Sequence, residues 1–208
     1  MGRNIGPKNK LSRRFGVDLG LKTNPTKVAR RLGQMPGVHG PKKKRNSKMS
    51  SFGMQLIEKQ KAKIIYGLRE KQFTRYVKEA TKEKGDSGVN LQLMLENRLD
   101  NIVYRLGFAD TRAQARQFVS HGFFDINGKR NNIPSHICRV GDVISLRENK
   151  AKKKLFETIT DKLSKKETQS WLSVNPTAKS GKILGKPTNA DFEKTFDVKL
   201  IIEFYSTR

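Results

Sequence analysis

Cysteine is almost missing from these 208 residues: Cys138 is the only one. A single thiol excludes a disulfide within the chain and a zinc site built on thiolates. Its setting, Ile137-Cys138-Arg139-Val140, suits a small buried apolar side chain better than a reactive thiolate. Histidine is scarce as well. His39, His121 and His136 have no ligand spacing between them, so no metal site is expected. No run of about 18 apolar residues exists to span a membrane. The opening Met1 to Gly6 lacks the hydroxyl residue of a myristoylation signal and the apolar core of a signal peptide, so a cytoplasmic protein is expected. There is no phosphate-binding glycine loop and no nucleophile elbow. Glu96 and Asp100 lie four apart, as a carboxylate pair might, but Arg98, Tyr104 and Arg105 are within reach as partners. Those features point away from an enzyme, a cofactor and a small-molecule substrate.

Acid is the other shortage. Lysine and arginine total 44 against 19 acidic residues, a net charge of +25. Self-repulsion of that size opposes compaction unless a polyanion is the usual companion. The excess is uneven: residues 1–50 hold 14 basic side chains and only Asp18 as an acid, so +13 of the +25 lies there. An N-terminal block that supplies affinity and a more balanced folded part that supplies register are expected.

Residues 1–48 read as a loosely organised basic extension. Gly6-Pro7, Asn24-Pro25, Pro36-Gly37 and Gly40-Pro41 leave room only for short helices near Leu11–Phe15 and Thr26–Leu32. The run Lys42, Lys43, Lys44, Arg45 fits a segment that lies along RNA and orders on binding. Residues 49–97 read as a helical body. Phe52, Leu56, Ile64, Ile65, Leu68, Phe73, Tyr76 and Val77 recur at helical spacing, and Gly67 breaks the run into two helices. Lys59 and Lys63 on the first, and Arg75 on the second, are candidate RNA contacts. After Leu146 a basic helix from Lys152 to about Ser164 is expected. Trp171 to Pro176 then reads as extended, and Lys199 to Tyr205 as a terminal strand packed back on the rest.

The most informative stretch is Arg98 to Leu146. Leu99, Ile102, Val103 and Leu106 predict a helix ended by Gly107. Asp110 or Thr111 can cap a second helix reaching His121, with Ala115, Phe118 and Val119 inward and Arg112 and Arg116 outward. Phe124 and Ile126 alternate as a strand, Asn127-Gly128 makes a tight hairpin turn, and Gly141-Asp142 leads into a closing strand, Val143 to Leu146. Two arginines on a rigid helix, with Lys129 and Arg130 beside them on a hairpin, suit a phosphate backbone.

These residues resemble the S-four protein family of the bacterial small ribosomal subunit nearly end to end. The matching pieces run in order. They are Gly6-Pro7-Lys8 with Lys10 to Arg14, Pro36 to Gly40, Phe52 to Lys63, and Tyr66-Gly67 with Gln72-Phe73. Arg98 to Phe108, Thr111 to Gln117 and the ending Leu200 to Ser206 follow. The module from Arg98 also occurs in pseudouridine synthases, so it alone would say less than the whole series. The absence of cysteine before residue 138 places the resemblance in the zinc-free branch, and residues 176–198 depart from the family pattern.

The resemblance implies an α+β fold: a mostly helical body with an inserted RNA-binding module, a helix-turn-helix plus a small antiparallel sheet. It implies domains at 1–48, 49–97, 98–164 and 165–208, the last packing on the body. It also implies a primary binder of 16S ribosomal RNA at a junction in its five-prime domain, nucleating assembly of the subunit body and contributing to translational accuracy. The neighbouring S-five protein and messenger RNA near the entry channel would be further partners.

The mechanism expected from the residues is electrostatic and shape-based. Arg112 and Arg116 clamp phosphates, Gln117 and Asn127 add neutral hydrogen bonds, and Lys129 and Arg130 form a second charged edge. His121 caps its helix and can contact a phosphate. Arg3, Lys8, Lys10, Arg13, Arg14 and the Lys42–Arg45 run thread between RNA helices. Two rivals would look different. An RNA-modifying enzyme would carry a separate catalytic domain, and a helix-turn-helix regulator of DNA would carry a dimer seam.

Overall fold

The computed structural model describes residues 6–40, 49–151, 156, 159–165 and 167–206. Arg3, Lys42, Lys43, Lys44, Arg45 and the expected helix start at Lys152–Lys154 lie outside the described residues. In chain order the helices and strands are α1 (Lys8–Phe15), α2 (Pro25–Ala29), α3 (Ser51–Ile65), α4 (Glu70–Lys82), α5 (Ser87–Glu96), α6 (Leu99–Leu106), α7 (Arg112–Ser120), β1 (Phe124–Ile126), β2 (Lys129–Arg130), β3 (Val143–Leu146), α8 (Glu148–Ala151), α9 (Ile159–Lys165), β4 (Leu172–Asn175), β5 (Ser180–Ile183) and α10 (Val198–Ser206). The fold is α+β, and it divides into two compact units: residues 1–91 with 193–208, and residues 92–192. None of the described helices is long and apolar enough to cross a membrane.

In the first unit the helix break falls where glycine permits it, at Gly67 with φ 61°. Ser50 starts α3 by accepting the Gly53 N–H on its hydroxyl. Ala62 and Ile65 from α3, Phe73, Tyr76, Val77 and Ala80 from α4, and Ile201 and Phe204 from α10 are buried. Rings tie these helices together, with Phe52 5.6 Å from Phe204 and Phe73 6.2 Å from Tyr205. The chain end is therefore a helix where a strand was expected. Ile201 and Phe204, three apart, bury one face, and Asp197 accepts the Lys199 N–H on its carboxylate, as an N-cap does. Residues 6–40 carry the two short helices expected there, and in addition they bury Leu19 and Val28.

In the second unit, α6 and α7 pack on one face of an antiparallel sheet of order β2-β1-β3-β5-β4. Leu99, Ile102, Val103 and Leu106 are wholly buried, joined by Ala115, Phe118, Phe124, Ile144, Trp171 and Ile183 in one core. The hairpin turns as expected, with Asn127 at φ 49° and Gly128 at φ 77°. The expected division at 164/165 needs correction. β5 pairs with β3 and β4 with β5, so residues 165–192 belong with the module and only 193–208 return to the helical body. The reason lies at the edge of β3, whose backbone groups need a partner. Gly181 lets β5 come close: a Cβ there would lie 2.5 Å from Leu106 Cδ2.

Candidate nucleic-acid interface

The site begins at the N-terminus of α6. Its first N–H groups are satisfied by carbonyls of the 134–138 segment, Leu99 N–H to His136 and Asp100 N–H to Pro134. Arg98, with no exposed surface, donates Nε and Nη2 to the two carboxylate oxygens of Asp100 at 3.0 and 2.8 Å. Beside this pair stands a second one. Arg105 donates to both oxygens of buried Glu96, at 3.0 and 2.8 Å, and Asn101 donates to the same carboxylate at 2.7 Å. Both carboxylates are thus held by neighbouring guanidinium groups in ion-pair clusters, as the sequence led one to expect. Cys138, close by in chain order, is buried, and its thiol is pushed up to about 12 by burial and by Asp142 and Asp100.

Onto this layer α7 sets its arginines. Thr111 caps the helix by accepting the Gln114 N–H at 3.2 Å. Arg112 and Arg116 were expected to face outward, and that is corrected here: both are half-buried against α6. Arg112 donates Nε to Asn101 Oδ1 at 2.9 Å, and its guanidinium lies 4.7 Å from the Tyr104 ring centre. Arg116 Nη1 lies 3.7 Å from Asp100. The two cations are therefore preorganised. Gln117 and His121 are exposed further along the helix. At its end Gly122, φ 65°, leaves room for the Arg130 guanidinium: a Cβ there would meet Arg130 Nε at 2.8 Å. Arg130 is thereby brought to the C-terminal end of α7, and Lys129 stands exposed beside it on β2. Asn127 serves the hairpin itself: its amide donates to Asp142 and accepts the Val143 N–H, both at 2.9 Å.

Residues 3–96 match the family model described as ribosomal protein S4/S9 N-terminal domain, and residues 97–144 match that of the S4 domain. The chain is 43% identical over 208 residues to the small ribosomal subunit protein uS4 of Roseiflexus castenholzii, covering 99% of this chain and 100% of that one. It is 46% identical over 211 residues to the uS4 proteins of Leptothrix cholodnii and Caldicellulosiruptor bescii, with the same coverage. The chain belongs to the ribosomal protein S4 family. The S4-domain match ends within β3, so β4 and β5 extend the module's sheet beyond that match.

Within the S4/S9 N-terminal match the candidate residues fare differently. Lys59 is corrected to a structural cation: it is 6% exposed, bonds Glu70 at 2.7 Å and lies 4.4 Å from the Phe204 ring centre. Lys63 reaches the same Glu70 at 3.0 Å. Arg13 pins a loop, its guanidinium donating to the Gln34 and Met35 carbonyls. Lys10, Arg14 and Arg75 are exposed, Arg75 with Glu79 3.3 Å away, and Lys8 is half-buried. The residue sequence reasoning passed over is Asn101, whose one signal was a polar residue beside the apolar stripe of α6; Tyr104, read as a partner for the carboxylates, has the Arg112 guanidinium over its ring.

Proposed function

We infer that this chain is a structural protein of the small ribosomal subunit, which binds the subunit's RNA and catalyses no reaction. Family membership across the full length supports that reading, and its place is in that cytoplasmic particle. The observation that carries the site is the pair of arginines one turn apart on α7: Arg112 and Arg116 are held from α6, and Arg130 is brought to the C-terminal end of the same helix over Gly122. Gln117 and His121 are exposed on α7 and at its end. Nine residues of helix span roughly 13 Å, enough to meet a run of backbone phosphates and too long for one small anion. Lys129 adds charge from the hairpin. Lys10, Arg14, Arg75 and Lys8, with Arg3 and Lys42–Arg45 from outside the described residues, add contacts from the first unit.

The RNA proposed is 16S ribosomal RNA at a helix junction of its five-prime domain. There the chain helps nucleate the subunit body. Contact with the S-five protein, a position near the messenger RNA entry channel and a contribution to decoding accuracy are proposed on the family resemblance. The test is binding of Arg112→Ala with Arg116→Ala to a five-prime-domain RNA fragment, against unrelated folded RNA and duplex DNA. The parent chain should prefer the junction, and the double variant should lose that preference while keeping its circular dichroism spectrum. An unchanged preference in a folded double variant rules the α7 arginine pair out as the reader.

A further inference from the structure

Asn101 is 2% exposed in the second unit, on a helix whose other buried positions are mostly apolar. A buried amide must satisfy both of its ends. Its Nδ2 donates to the Glu96 carbonyl at 3.0 Å and to Glu96 Oε2 at 2.7 Å. Those acceptors decide which way the amide faces, because the flipped amide would set Oδ1 against a carboxylate oxygen. Oδ1 is thereby turned to Arg112, whose Nε donates to it at 2.9 Å. Glu96 is in turn held by the Arg105 fork. Arg112 is bounded on a second side by the Tyr104 ring.

An amide suits this position because it orients without neutralising. A carboxylate in its place would hold the guanidinium harder but cancel much of its attraction for an anion. Arg116, whose neighbour at 3.7 Å is the Asp100 carboxylate, shows the charged alternative on the same helix. We propose that Asn101, locked by Glu96, is a positioning residue that aims the Arg112 guanidinium at an RNA phosphate. The inference rests on Arg112 being an RNA contact, as proposed above. Asn101 itself does not touch the RNA.

The test uses the full chain, a five-prime-domain fragment of small-subunit ribosomal RNA, and a salt series. Asn101→Ala removes no charge, so it should weaken binding about tenfold with the parental salt slope. Arg112→Ala should weaken binding and lower the slope by about one. In the Arg112→Ala background, Asn101→Ala should add nothing, since its whole effect passes through that guanidinium. Additive losses overturn the positioning role, and so does a folded Asn101→Ala chain that binds as the parent does. Parental binding by Arg112→Ala overturns the Arg112 contact itself, a separate failure. Should Asn101→Ala fail to fold, Arg112→Lys tests the same link. It keeps the charge, deletes the Nε donor and leaves Asn101 and Glu96 paired. It should bind about tenfold more weakly with the parental slope, and parental affinity there overturns the proposal.

Discussion

Glu70 gathers three donors in the first unit, Lys59, Lys63 and the Tyr205 hydroxyl, at 2.7, 3.0 and 2.8 Å. Partial burial alone would raise its carboxyl above the ordinary 4.5, but those hydrogen bonds win and lower it to about 2. A carboxylate depressed on folding contributes stability that is complete above the unfolded value, here 4.5, and is lost as pH falls towards 2. Solvent at the half-exposed Glu70 side chain screens the effect. Glu70→Gln should therefore lower the thermal midpoint at neutral pH, and the gap to the parent should close on acidification through that window. A gap that stays constant down to pH about 2 would show that Glu70 is not the linked group. Lys59 teaches the same lesson from the cationic side. By residue type it belongs with the RNA ligands, but Phe204 and Glu70 enclose it: the turn at Gly67 brings Glu70 back to it, and the return of the chain end brings Phe204.

Helices legible from their spacing are those whose partners are close in sequence. In α6 and α7 the apolar stripes, the Gly107 stop and the Thr111 cap were all readable, and Asn127-Gly128 marked the hairpin. β4 and β5 were not fully readable. Ser180-Gly181-Lys182-Ile183 looks like a weak strand until the edge of β3 and the underside of Leu106 are known. The close approach makes a prediction at this scale. Gly181→Ala drives a methyl into a fully buried leucine and should cost about 1–3 kcal/mol, read as the urea midpoint of the second unit. Pairing it with Leu106→Val should recover part of that loss. No loss from Gly181→Ala alone would mean that β5 is not pressed against α6. For α10, β-branched and aromatic residues suggested a strand, and burial of one face against α3 decided for a helix, as tertiary context regularly overrides propensity.

For the whole molecule the governing number is +25. If roughly 6–10 phosphates are neutralised, affinity for the junction RNA should fall by about three to five decades between roughly 50 and 200 mM salt, on the duplex-DNA scale. A shallow slope, of about two or fewer contacts, would mean that the folded surfaces and not the charge dominate binding. Composition by itself determined that a polyanion is the partner. The paucity of cysteine and the scattered histidines argued against a thiolate or histidine metal centre. The ordered motifs determined the family and the helix-turn-helix core, because spacing and caps are local properties of a chain. Tertiary structure alone decided which acceptors each cation meets within the protein. Lys59 and Arg13 were taken up by structural partners, Arg112 and Arg116 were drawn against α6, and Asn101 was turned to hold one of them. Charge can be counted along a sequence, but the direction of a guanidinium depends on acceptors brought to it from other elements.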